Sequence, residues 1–122
     1  MQSTAISRFN RISARKVRLV ADAVRGMGVE EAVHALELMP KKAAPILQKT
    51  ILSAVANAKQ HDENVGMSEE DFVVHEIRVD EGPTFKRIRP RAQGRAFRIR
   101  KRTSHVKVVV RALADEATEA AE

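Results

Sequence analysis

Thr103, Ser104 and His105 stand consecutively near the C-terminal end of the chain. A hydroxyl beside an imidazole is the pairing from which a nucleophile and its base are made. The spacing argues against that use, because neighbouring residues of a strand point to opposite faces and no third group is evident to activate the pair. His34, His61 and His75 are scattered singly, and no two histidines have the i, i+4 spacing of paired metal ligands. His75 alternates with Val73, Ile77 and Val79 and reads as a satisfied strand residue. "GMGVEE" at Gly26 to Glu31 lacks the third glycine and the preceding strand of a dinucleotide loop, so it reads as a helix stop. With no cysteine, thiolate chemistry and disulfides are excluded. The chain reads as no enzyme, with no catalytic residue, metal or cofactor and no small-molecule substrate.

The residues are equipped instead to meet negative charge. From Gly82 to Arg111 there are eleven Lys or Arg and no acid. The whole chain carries +6, so the remainder carries 6 − 11 = −5. Eight acids fall between Asp62 and Glu81, and four more follow Ala112. Segregation of this kind argues for a polyanionic partner met by one part of the molecule. Arg outnumbers Lys in the basic run, and its planar guanidinium makes forked bonds to phosphate and stacks on bases. Ile88, Phe97 and Ile99 are threaded through it, with Pro90 and Gly94 near the middle. Apolar side chains among arginines suit sugars and splayed bases, which structured RNA offers more than a regular duplex.

The elements that must position this charge can be read from periodicity. A short edge strand is expected in "STAISRFNRIS", then a helix in "SARKVRLVADAVRGMG". Ser13 is its candidate N-cap, and Gly26 or Gly28 its stop. Val17, Val20, Ala21 and Val24 form its buried stripe, with Arg15, Arg18, Asp22 and Arg25 on another face, where Asp22 can pair with Arg18. "VEEAVHALELM" is a second helix ended by Pro40. The third starts near Ala43 or Ala44, which puts Pro45 in its first turn, and Leu47, Ile51, Ala54, Val55 and Ala58 make its stripe. "DFVVHEIRVDEG" and "SHVKVVVRA" are β-rich runs. Paired about Gln93-Gly94, with partner numbers summing to 187, they set Val79 against Val108, Ile77 against Val110 and Ile88 against Ile99. Residues 82 to 93 would then reach roughly 40 Å, against a body with a radius of gyration of about 12 Å.

The expected fold class is α+β: three helices packed on a small antiparallel sheet, with a long basic β-hairpin arm at about 82–105. At 122 residues, with 43% hydrophobic residues, the chain suits one domain, taken as 1–111. The acidic tail 112–122 is expected to be disordered. No apolar run approaches the roughly 20 residues of a membrane span, and no signal-peptide segment is present, so a soluble cytoplasmic protein is expected.

"EGPTFKRIRPRAQGRAFRIRKRTSHVKVVV", with "SARKVRLVADAVRG" and "ILSAVANAKQHD", closely resembles the family of bacterial large-subunit ribosomal protein twenty-two. The resemblance runs from about Ile6 to Arg111, and "RTSH" is its most specific part. It implies a structural protein of the ribosome whose hairpin penetrates large-subunit rRNA and stabilises assembly, beside neighbouring ribosomal proteins. It also implies that the tip, Arg89, Pro90, Arg91, Ala92, Gln93, Gly94 and Arg95, lines the nascent-peptide exit tunnel. The family often has a polar residue where Phe97 stands, and the acidic tail lies outside its pattern.

The candidate RNA contacts are Arg11, Ser13, Arg15, Lys16 and Arg18 around the first helix, and Lys86, Arg87, Arg89, Arg91 and Arg95 on the way to the tip. Arg98, Arg100, Lys101 and Arg102 return from it, and Thr103, Ser104 and His105 follow at the arm's base. The rival reading is an architectural DNA-binding protein, whose basic β-arms enter the minor groove with an apolar wedge, a part Pro90 could play. Such proteins typically grip as dimers, and no large exposed apolar face for an obligate dimer is evident.

Overall fold

The computed structural model describes residues 2–61, 66–90, 94 and 96–113, without the side chains of 89, 90 and 96–98. Strand β1 (Gln2–Asn10) leads into helices α1 (Ala14–Val24), α2 (Val29–Leu38) and α3 (Ala43–Lys59). After one turn of 3-10 helix at Glu69–Asp71 come the two long strands β2 (Phe72–Pro90) and β3 (Ala96–Ala112). The sheet is antiparallel in the order β1-β3-β2, with β1 on an edge.

All of the expected α1 and α3 stripe residues are buried. Their helices lie on the sheet face that carries Val106, Val108 and Val110, with Ala5 from β1 and Val74, Ile77 and Val79 from β2. The Ala-rich stripe of α3 lets that helix pack closely on β1, β3 and α2. Pro45 falls in the first turn of α3, where its missing N–H costs nothing. Gly26 ends α1 with φ 84, the left-handed conformation glycine tolerates. Its N–H donates to the Val74 carbonyl, and the Val74 N–H donates to the Met27 carbonyl, so the end of α1 is stitched to β2.

Three local expectations are corrected. Ser13 occupies the N-cap position of α1, but its side chain makes no capping hydrogen bond. Asp22 pairs with Arg25 rather than Arg18, because Arg18 is drawn to the sheet. The third concerns register. The hairpin is antiparallel, but partner numbers sum to 184 near Val74, to 185 from Glu76 to Glu81 and to 186 in the arm. Two bulges, one at His75 and one at Gly82-Pro83, produce those steps. The first changes which residues face inward, so Phe72 and Val74 join Ile77 and Val79 in the core while His75 does not.

Electrostatics favours the observed arm register. A sum of 187 would set Arg89 against Arg98, Arg87 against Arg100 and Lys86 against Lys101. Like charges directly opposed across strands destabilise the pair. In the structure Phe85 faces Lys101, Arg87 faces Ile99, Ile88 faces Arg98 and Arg89 faces Phe97, leaving Lys86 opposite Arg100 as the like-charge pair. Ile88 and Ile99 consequently sit on opposite faces of the ribbon. The apolar residues of the arm separate its cations.

Candidate nucleic-acid interface

The arm leaves the body at the second bulge, and this junction is tightly built. A Cβ on Gly82 would come within 2.5 Å of Thr103 Oγ1 and 3.1 Å of His105 Nε2, so only glycine fits without displacement. Thr103 Oγ1 donates to the Pro83 carbonyl at 2.6 Å. Asn10 Nδ2 donates to the Ser104 carbonyl at 3.3 Å, tying the end of β1 to the same place. Phe9 takes a left-handed φ of 57, donates its N–H to His105 Nδ1 at 3.1 Å and meets the imidazole edge-on at 4.9 Å between centroids. Backbone strain at Phe9 is held by these contacts.

Beside the junction, the start of α1 faces the ribbon across a cleft of about 530 Å³. Arg11, Ser13 and Lys16 line one side, and Arg87, Arg100, Lys101, Arg102 and Thr103 the other, with Ile12 and Phe85 as the apolar lining. Lys42, just before α3, completes it and donates from Nζ to the Arg11 carbonyl at 2.9 Å. Among the described residues, no carboxylate lines this cleft. A smaller recess of about 250 Å³ is bounded by Ser13, Arg15, Glu81, Gly82, Thr84, Arg100, Arg102 and Thr103. Cations from three separate stretches of chain thus share one concave surface, where their fields add and favour a bound polyanion.

The expected contact residues therefore divide. Arg11, Ser13, Lys16, Arg87, Arg100, Lys101 and Arg102 come together at the cleft; Arg15 lies at the adjoining recess and Lys86 is exposed on the arm. Arg18 instead donates from Nε and Nη2 to the Val79 carbonyl at 3.2 and 2.8 Å, clamping α1 to β2. Thr103 and Ser104 are buried, at 3% and 0% exposure, and Thr103 reaches the cleft only as part of its wall. His105 is half-buried and accepts from Phe9. Arg91, Ala92, Gln93 and Arg95 lie outside the described residues, as do the side chains of Arg89, Pro90, Phe97 and Arg98. Gly94 has φ 71, the conformation expected of a tight tip.

Lys42 and Phe85 were missed. Lys42 is remote in sequence from the basic run, and only the packing of α3 beside Arg11 brings it in. Phe85 carried a detectable signal, being an aromatic just inside a run with no core to fill. Among the described residues, no group of three or more His, Asp or Glu is placed to hold a metal, and no helix is long and apolar enough to cross a membrane.

Comparison with known proteins shows the family. Residues 5–111 match the family model for "Ribosomal protein L22p/L17e". The protein named "Large ribosomal subunit protein uL22" from Maridesulfovibrio salexigens is 54% identical over 111 residues, covering 91% of this chain and 98% of the relative. The protein of the same name from Desulfotalea psychrophila is 54% identical over 110 residues, with coverages of 90% and 97%. That from Rhodopirellula baltica is 52% identical over 109 residues, with coverages of 88% and 92%. The match takes in the junction, the cleft and the arm together, and the chain belongs to the ribosomal protein L22p/L17e family.

Proposed function

We propose that this chain binds large-subunit rRNA in the cytoplasmic ribosome, using the basic arm and the start of α1 as one continuous surface. It is a structural ribosomal protein and not an enzyme. The observation that carries the reading is the cleft, which Arg11, Lys16, Lys42, Arg87, Arg100, Lys101 and Arg102 border with no carboxylate among the described lining residues. Phosphates entering there meet guanidinium forks on two sides, while the Thr103 hydroxyl and the Ser104 carbonyl tie the base of the arm to Pro83 and Asn10. Family membership supports the further reading that the tip, residues 89–95, lies at the nascent-peptide exit tunnel, near other ribosomal proteins.

Binding of the purified protein to a large-subunit rRNA fragment tests this directly. Affinity should fall steeply as salt rises, because each neutralised phosphate releases condensed counterions. Excess duplex DNA should fail to displace the fragment at moderate salt. Efficient displacement, or a nearly flat salt dependence, would overturn the assignment of this surface to rRNA.

A further inference from the structure

We infer that the cleft between α1 and the arm holds an unstacked nucleobase, with the ring of Phe85 as its platform; this rests on the rRNA-binding reading above. Of the three phenylalanines whose side chains are described, Phe72 is in the core at 1% exposure and Phe9 lies against His105. Phe85 has no such role. It is 45% exposed, sits opposite Lys101 on a ribbon with no core beneath it, and makes no ring contact among the described residues. An aromatic ring left in water is unfavourable unless a partner covers it.

The surroundings restrict what that partner is. Arg11, Lys16, Lys42 and Arg87 share the cleft, so the ligand brings negative charge; Ile12 and Phe85 are its apolar lining, so it also brings a flat apolar face. A nucleotide joins both in one unit. A regular duplex hides its base faces in the stack, whereas bulged or splayed nucleotides offer them. The cleft, at about 530 Å³, has room for such a unit. The guanidinium of Arg87, two residues from Phe85 on the same face of the ribbon and planar like a base, can cover the second face.

The chain contains no Trp, so Phe85→Trp gives a single fluorescent reporter at the platform. In the full-length protein at low salt, a single-stranded oligoadenylate should quench this emission, whereas inorganic polyphosphate should bind without comparable quenching. Phe85→Leu keeps an apolar side chain but no flat face. It should weaken oligoadenylate binding about tenfold or more, the scale of a lost base–aromatic stack, and leave polyphosphate binding unchanged. Equal quenching by both polyanions, absence of quenching, or wild-type oligoadenylate affinity in Phe85→Leu would overturn the platform. Those results leave the rRNA reading standing if the rRNA fragment still binds with steep salt dependence; loss of that binding in the wild-type protein would sink both. Phe85 is outside the core, so an unchanged thermal transition in both variants separates stacking from packing.

Discussion

Gly82 sits where two strands, a bulge and the side chains of Thr103 and His105 converge, and it is the residue with the least room to change. Gly82→Ala should destabilise the protein by about 1–3 kcal/mol, the usual cost of forcing extra atoms into a packed site. Thermal unfolding would show it as a lowered midpoint. Arg18 presents a different case, because its charge suggests RNA while its bonds go to the Val79 carbonyl. Arg18→Ala should cost about 1–2 kcal/mol of stability. Lys101→Gln, at an exposed site on the arm, should leave stability nearly unchanged and weaken rRNA binding instead. Chemical denaturation beside a binding titration separates the two effects. Residue type alone could not sort them, since which arginines bond to the protein's own backbone depends on the strand that packs beside them.

Among the elements, the hairpin was legible as a hairpin because β-branched alternation flanks a turn-forming Gly. Its register was not. Pairs of valines and isoleucines fit several registers almost equally well, and the bulges at His75 and Gly82-Pro83 each shift the pairing by one. The helices were more legible because a 3.6-residue stripe has one solution on each. Arm and body are separable elements: the inward-facing residues end near Val79 and Val106, and Phe85 and Ile88 beyond the bulge remain exposed. Deleting residues 87–95 should therefore leave the helical circular-dichroism signal and cooperative unfolding of the body intact. A large loss of helical signal would mean that the arm contributes to the core after all.

For the whole molecule, the governing fact is segregation of charge. A net charge of +6 conceals a basic segment of +11 set against a remainder of −5. That field favours a polyanion on one side, and the cleft between α1 and the arm gives that side a shaped surface. Arg87→Gln should weaken binding to the rRNA fragment and reduce the slope of log affinity against log salt by about one, as expected for a single lost phosphate contact. A wild-type slope in that variant would remove Arg87 from the phosphate-binding set. Of the acidic tail expected at 112–122, Ala112 is the buried last residue of β3, and residues 114–122 lie outside the described residues, so the place of its carboxylates in this field rests on sequence alone.

By itself the sequence determined the α+β class, the three helices with their buried stripes, and the concentration of cations on one projecting hairpin. Each of these follows from local periodicity or from counting charges, and neither needs a neighbour to interpret it. Tertiary structure decided the register of the arm, the bonding of Arg18 to the β2 backbone, the burial of Thr103 and Ser104, and the recruitment of Lys42 and Phe85 to a cleft with Arg11 and Lys16. Those outcomes depend on which surfaces meet. Like-charge repulsion across the ribbon, the space beside Gly82 and the docking of α1 on β2 come into being only once the strands and helices are packed.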